Sequence, residues 1–325
     1  MHKGTKVNHT ETVNMPRIFL INQLLIRLNH KSMEALADKA VLLRELDEPY
    51  TVSPEAVAFY QQNGYVKLKH VLSPAVLTYY GDIITDLVFR LNTLSKPMEE
   101  RTTYERAFLQ IMNLWREDEQ AKEFVFSKRL AKIAADLMGV SGVRIYHDQA
   151  LYKEPSGGIT PWHADQFYWP LSSPNTVTVW IPLQETPMEM GPLAFAEGSQ
   201  HVEIGRDMEI SDESEKLLAD ELQRQNFAVH DTSFELGEVS YHAGWTFHRA
   251  GPNVSDRPRK VMTMIYMDKD QTITQPRNQY QVDDHAKWLN KVPVGSQPQD
   301  ELNPVLYSYS LSRMTGASKQ MTDEY

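Results

Sequence analysis

The chain has 325 residues, 41% of them apolar and 23% charged, a balance that excludes an intrinsically disordered protein and fits a soluble globular one. Its formal net charge of −10 disfavours polyanions, so nucleic acid is not an expected partner. The lack of any cysteine excludes disulfides and thiolate metal sites, leaves imidazole and carboxylate as metal ligands, and fits a reducing, cytoplasmic setting.

Residues 1–52 read as an N-terminal extension with one or two helices, opening on a polar run to Asn14. Its most apolar stretch, Ile18 to Leu28, contains Asn22, Gln23 and Arg27, is too short to span a bilayer and lacks the small-residue cleavage site of a signal peptide; no membrane partner is expected. Ser53-Pro54-Glu55 sets a capping hydroxyl before a proline, and Gly64 closes the helix so begun. Ser73-Pro74 repeats the signal for a long helix, with Leu77, Ile83, Ile84, Leu87, Val88 and Leu91 at helical spacing. Further helices are predicted from about Arg101 to Arg116 and from Ser127 to Met138.

At Val143 the pattern changes to short segments rich in β-branched and aromatic residues: Val143–Tyr152, Thr176–Leu183, Leu193–Ala196, Glu238–His242 and Arg259–Tyr266. Gly/Pro turns such as Gly157-Gly158 and Gly251-Pro252-Asn253 separate them, and an acidic helical insertion spans about Ser211 to Asn226. Helices followed by many short strands predict a mainly β fold, an antiparallel jelly roll covered by N-terminal helices. That domain is expected over 53–270, with 271–325, rich in Gln, Asn, Pro and Ser, as a loosely ordered wrap of the same domain.

The most informative stretch is Thr160-Pro161-Trp162-His163-Ala164-Asp165-Gln166-Phe167. In an extended chain residues i and i+2 share a face, so His163 and Asp165 project together with Ala164 turned away. One imidazole and one carboxylate so placed, completed by a third ligand, occupy one face of a divalent iron and leave cis positions open. Either His242 or His248 is a candidate for that third place, since a turn at Ala243-Gly244-Trp245 separates the extended segments that carry them. Arg259 opens a strand whose alternate members are Val261, Thr263 and Ile265; if that face lines the interior, the guanidinium needs a carboxylate and its fork matches one bidentately. Arg257 competes with it but precedes a proline, in the turn.

Taken together these residues resemble the phytanoyl-CoA dioxygenase family of Fe(II)/2-oxoglutarate-dependent oxygenases. The resemblance runs from about Ser53 to Asp268 through Asp148-Gln149-x-Leu151-x-Lys153, Pro161-Trp162-His163-x-Asp165-Gln166 and Trp180-Ile181-Pro182-Leu183. It continues through Gly191-x-Leu193 and Gly198-Ser199-x-His201, and closes with His248-Arg249-Ala250-Gly251-Pro252-Asn253-x-Ser255-x-Arg257-Pro258-Arg259. It implies a double-stranded β-helix of the cupin-like kind, with His163, Asp165 and His248 as iron ligands and Arg259 as the anchor of the distal carboxylate of 2-oxoglutarate. Trp180 then lies beside the cosubstrate and Gln149 near it. Ala250 departs from the family pattern, where many members carry a serine able to hydrogen-bond the cosubstrate.

The chemistry implied is hydroxylation of an unactivated C–H bond of a small organic molecule, using iron(II), 2-oxoglutarate and dioxygen, with succinate and carbon dioxide released and ascorbate as a stimulant. Halogenases on this scaffold lack the carboxylate; Asp165 therefore speaks against that outcome, whereas desaturation and cyclisation remain open, as does a non-catalytic metal-binding jelly roll. For the substrate, Trp162 and Phe167 crowd the metal segment together with Tyr168 and Trp169, and Gln110 sits with Asn113 and Trp115 on the last part of the 101–116 helix, over the mouth. Lys153 is read either as a contact to an anionic substrate group or as the partner of a surface carboxylate.

Overall fold

The structure, a computed structural model, describes residues 38–310. Two units divide the chain, Met1–Arg44 and Glu45–Tyr325, and the second carries the β domain with its covering helices. Residues 38–47 are helical; the rest of the helices expected in the N-terminal extension lies outside the described residues.

Helix α1 (Pro54–Asn63) starts where Ser53 Oγ accepts from the Ala56 amide, and it stops at Gly64, whose φ of 78° lets its N–H reach the Tyr60 carbonyl. Strand β1 (Tyr65–Leu68) follows, then the long helix α2 (Pro74–Leu91), capped by Ser73 and burying Leu77, Ile84, Leu87 and Val88 on one face. The helix expected over 101–116 does not form as one piece. A short α3 (Thr103–Ala107), closed by a Thr102/Glu105 capping box, gives way to strand β2 (Leu109–Met112). Pairing with the next strand wins over local helical preference there, since Gln110 stands opposite Leu151 and Met112 opposite Gln149.

Helices α4 (Glu119–Val125) and α5 (Lys128–Met138) come next, the second capped by Ser127 and ended by Gly139 in the left-handed conformation. Strand β3 (Gly142–Tyr152) opens the β domain, followed by β4 (Thr160–His163), β5 (Thr176–Pro182) and β6 (Leu193–Ala196). The acidic insertion is helix α6 (Asp212–Arg224), capped by Ser211. After it run β7 (Val229–Asp231), β8 (Val239–Ala243), β9 (His248–Ala250) and β10 (Val261–Asp268). Helix α7 (Gln279–Lys287) and strand β11 (Val305–Ser308) lie in the stretch expected to be a loose wrap, which instead carries regular secondary structure.

The strands form two antiparallel sheets: a larger one ordered β1-β8-β5-β10-β3-β11, with β2 also on β3, and a smaller one ordered β4-β9-β6-β7. This is a jelly roll. Helix α5 packs on the large sheet at β3, β5, β10 and β11, burying Leu130, Ile133, Ala134 and Leu137 completely. Helix α6 covers the small sheet from outside, where Leu218 and Leu222 pack with Trp162 and Phe247. Alternation along each strand sends every second side chain inward, so the cavity between the sheets is where side chains from both must meet.

Candidate active site

The small sheet supplies two histidines already in register, since His163 on β4 stands directly opposite His248 on β9. Their rings lie 4.1 Å apart. Each imidazole is fixed by the same device: Nδ1–H donates to a backbone carbonyl two residues earlier, Pro161 at 2.7 Å and Thr246 at 3.0 Å. A carbonyl can only accept, so the proton sits on Nδ1 and the Nε2 lone pairs face the cavity.

Asp165 does not share the strand with His163, contrary to expectation; it opens a 3-10 turn (Asp165–Tyr168). Ala164 between them is still extended, with φ −123° and ψ 128°, so the two-residue alternation carries through and the carboxylate joins the histidines. Asp165 Oδ1 lies 3.6 Å from His163 Nε2 and 3.7 Å from His248 Nε2. The three groups offer ligand atoms within 4.8 Å of one another, the spread of donors around a single ion.

The other carboxylate oxygen is occupied. Thr178 on β5 donates to Asp165 Oδ2 at 2.8 Å, and His242 on β8 offers Nε2 to the same atom at 3.2 Å. His242 thus leaves the coordinating set and holds the carboxylate with Oδ1 toward the histidines. Burial works against an ionised Asp165, but the carboxyl is held well below its usual range, with Nε2–H of His242 bonding to the charged form. Burial, reinforced by the two neighbouring imidazoles, pushes His248 well below its ordinary value, so it is neutral, the form that can ligate a metal.

Arg259 is 1% exposed, and its Nη1 donates to the Gly191 carbonyl. Its Nε is buried with no partner, and among the described residues it forms no ion pair with any carboxylate. Burial pushes the guanidinium down to about 9. It lies 5.4 Å from the ring centre of Trp180 and faces the cavity with Trp180 and Thr263. Strand β10 begins at Val261 rather than at Arg259; the arginine instead bridges to Lys153.

The cavity, about 540 Å³, takes in the triad, Arg259, Trp180, Gln149 and Gln110. Gln149 Oε1 accepts from Gln110 Nε2 at 2.6 Å, and Gln110 in turn accepts from the Tyr104 hydroxyl at 2.8 Å, a chain across the wall. Gln110 reaches this position from β2, not from the helix expected there.

Three candidate substrate contacts fall elsewhere. Trp162, one residue before the ligand position, points to the opposite face and packs under α6. Phe167 is buried edge-on against Tyr168, with centroids 4.9 Å apart, outside the cavity wall. Lys153 is completely buried but outside that wall as well: its ammonium donates to the Gly158 and Gly251 carbonyls, and burial followed by the Arg259 charge pushes it down to about 6. It ties two loops together and, among the described residues, meets no surface carboxylate.

Helix α7 carries only a faint signal in the sequence. Tyr280, Asp283, Asp284 and Lys287 recur at helical spacing and line the outer cavity on one face. The polar composition around them hides that spacing.

A family model described as phytanoyl-CoA dioxygenase matches residues 60–261. A probable alpha-ketoglutarate-dependent hypophosphite dioxygenase of Stutzerimonas stutzeri is 26% identical over 155 residues, 45% of this chain and 52% of that protein. Phytanoyl-CoA dioxygenase domain-containing protein 1 of Danio rerio is 27% identical over 165 residues, 48% of this chain and 56% of its own length. The chain thus matches about half the length of these curated relatives. Among solved structures, the non-heme alpha ketoglutarate dependent carbocyclase SnoK from nogalamycin biosynthesis superposes with a TM-score of 0.66 at 26% identity, covering 80% of this chain and 100% of that one. The matched span contains the His163, Asp165 and His248 cluster together with Arg259, and the chain belongs to the phytanoyl-CoA dioxygenase family.

Proposed function

We propose that the protein is an Fe(II)- and 2-oxoglutarate-dependent dioxygenase that hydroxylates an unactivated C–H bond of a small organic molecule. The single observation that carries this reading is Arg259: a buried guanidinium without a carboxylate, in the same cavity as a facial His/Asp/His cluster. An unpaired buried charge is costly, and a ligand bearing a carboxylate relieves that cost when it binds. A hydrolytic metal site could reuse the triad but has no need of the arginine.

The donor set fits iron(II), with Nε2 of His163 and His248 and Oδ1 of Asp165 as its ligands. Iron(II) with bound 2-oxoglutarate supplies an oxidant made from dioxygen, with succinate and carbon dioxide as the co-products. The chain's own contribution is to orient. Arg259, held by the Gly191 carbonyl and backed by Trp180, would take the distal carboxylate of 2-oxoglutarate. The Gln110–Gln149 pair lies along the same wall, and Ala250 presents only a methyl group there. Thr178 and His242 keep Asp165 from turning, and the carboxylate occupies the position a halide would need, which favours hydroxylation over halogenation. The carbocyclase likeness supports cyclisation as the second outcome of the same cofactor pair.

The test is succinate release from 2-oxoglutarate with iron(II), ascorbate and air, alongside titration of 2-oxoglutarate into the iron-loaded protein. Turnover that disappears in Asp165→Ala, with 2-oxoglutarate binding lost in Arg259→Met, is the expected result. Absence of both turnover and 2-oxoglutarate binding in the unsubstituted protein would refute the proposal.

A further inference from the structure

The cavity has two ends of different chemistry. At one end stand the triad and Arg259. The wall toward the other end is formed by one face of α7, which presents Tyr280, Asp283, Asp284 and Lys287, and by Glu209 on the loop before α6. Three carboxyl groups therefore face one ammonium. Lys287 Nζ lies 4.4 Å from the centre of the Trp288 ring and acts on Asp284 only at longer range, with no ion pair to Asp283 or Asp284 among the described residues, so the carboxyl groups outnumber the cation.

A second observation comes from the large sheet. His147, Gln149 and Leu151 alternate along β3 on the face that lines the cavity. His147 is 4% exposed, and its buried Nδ1 has no hydrogen-bond partner. Burial pushes this imidazole down to about 3, so it stays neutral and an unprotonated ring nitrogen is available to accept. Aromatic surface is also present: Tyr168 and Tyr280 meet edge to face at 5.5 Å. Both ends belong to one space, since Asp165, Tyr104 and Asp284 line the same cavity. Asp284 accepts from the Tyr146 hydroxyl at 2.8 Å, and burial pushes its carboxyl up to about 7, a cost that a cation alongside would remove.

We propose that the substrate carries a cationic nitrogen, a protonated amine, seated between Asp283, Asp284 and Glu209 with His147 and the rings of Tyr168 and Tyr280 around it. This rests on the oxygenase reading for the identity of the opposite end. Charge-assisted hydrogen bonds to the carboxylates and attraction to the rings recognise such a group. Anchoring the nitrogen at α7 leaves the remainder of the molecule to extend toward the triad.

The test uses the full chain loaded with iron(II) and 2-oxoglutarate under argon, titrated calorimetrically with 4-phenylbutylamine and, separately, with its N-acetyl derivative. The two share a tail and differ in charge. The amine is expected to bind about tenfold more tightly, the usual worth of one hydrogen bond to a charged group. The preference should shrink toward unity in Asp284→Asn and in the doubly substituted Asp283→Asn, Glu209→Gln protein, whose two changes fall on exposed residues and leave the fold intact. Equal affinities, a preference unmoved by the substitutions, or failure of the amine to bind would each overturn the proposal. Titration of 2-oxoglutarate alone separates the two readings: its failure to bind sinks the oxygenase assignment, whereas the amine preference is read independently.

Discussion

A carboxylate that ligates through one oxygen must be kept from rotating, and at Asp165 the restraint comes from the large sheet: Thr178 on β5 and His242 on β8 both meet Oδ2. Removing such a support typically lowers metal affinity by about tenfold or more. Thr178→Val keeps the shape of the side chain and deletes the donor, so iron(II) affinity, measured by competition with a chelator, should fall by roughly that factor while the fold persists. An unchanged affinity would mean that His242 alone suffices. Asp148 tells a different story. It is completely buried, accepts from the Leu114 amide at 2.9 Å and the Trp115 amide at 3.4 Å, and burial pushes its carboxyl up to about 7 despite those bonds. The folded state therefore holds this proton more tightly than the unfolded chain does. Its stabilising effect is full below the unfolded value of about 3.9 and is lost as pH rises through about 7. Asp148→Asn carries no such proton, so the melting temperature of the unsubstituted protein relative to this variant should drop between pH 5 and pH 8. A constant difference across that range would contradict the assignment.

Among the elements, the turn ending at Gly191 matters most to the site. Its φ is 65°, and a Cβ there would stand 2.2 Å from the Gly251 carbonyl oxygen and 2.8 Å from that of Pro252, both backbone atoms that cannot step aside. The same residue's carbonyl receives Arg259. Gly191→Ala should thus destabilise the protein by about 2 kcal/mol or more, read by denaturant unfolding, and weaken 2-oxoglutarate binding as well. Elements of this kind were unevenly legible in the sequence. Strands β3, β5, β6, β8 and β10 announce themselves through β-branched and aromatic runs between turn residues, and the serine caps of α1, α2 and α5 mark helix starts directly. The 101–116 stretch misleads because Leu109–Met112 acquires its strand conformation from β3, a partner that no local pattern reveals. Of the site, the triad and Arg259 could be read from spacing and resemblance. Trp162 and Phe167 could not be placed, because which face of the β4 segment looks inward is decided by α6 on one side and α7 on the other.

For the molecule as a whole, the two sheets bring together a carboxylate, four imidazoles and a guanidinium in one largely buried space. Groups so arranged favour a protein that is more stable loaded than empty. A metal at a hundred times its dissociation constant adds about 2.7 kcal/mol, and for a domain of this size each kcal/mol is worth roughly 2–4 °C. Iron(II) under argon should accordingly raise the melting temperature by about 5–10 °C, and His163→Ala should abolish the shift. A shift retained in that variant would place the ion elsewhere. The span matched by the family ends at residue 261, whereas the α7 face that walls the outer cavity lies at 280–287. Part of the surface at the far end of the cavity thus lies beyond the matched span, while Tyr168 and Glu209 lie within it. On the reading proposed above, replacing the segment that carries α7 would alter which molecules are admitted while His163, Asp165, His248 and Arg259 stayed in place.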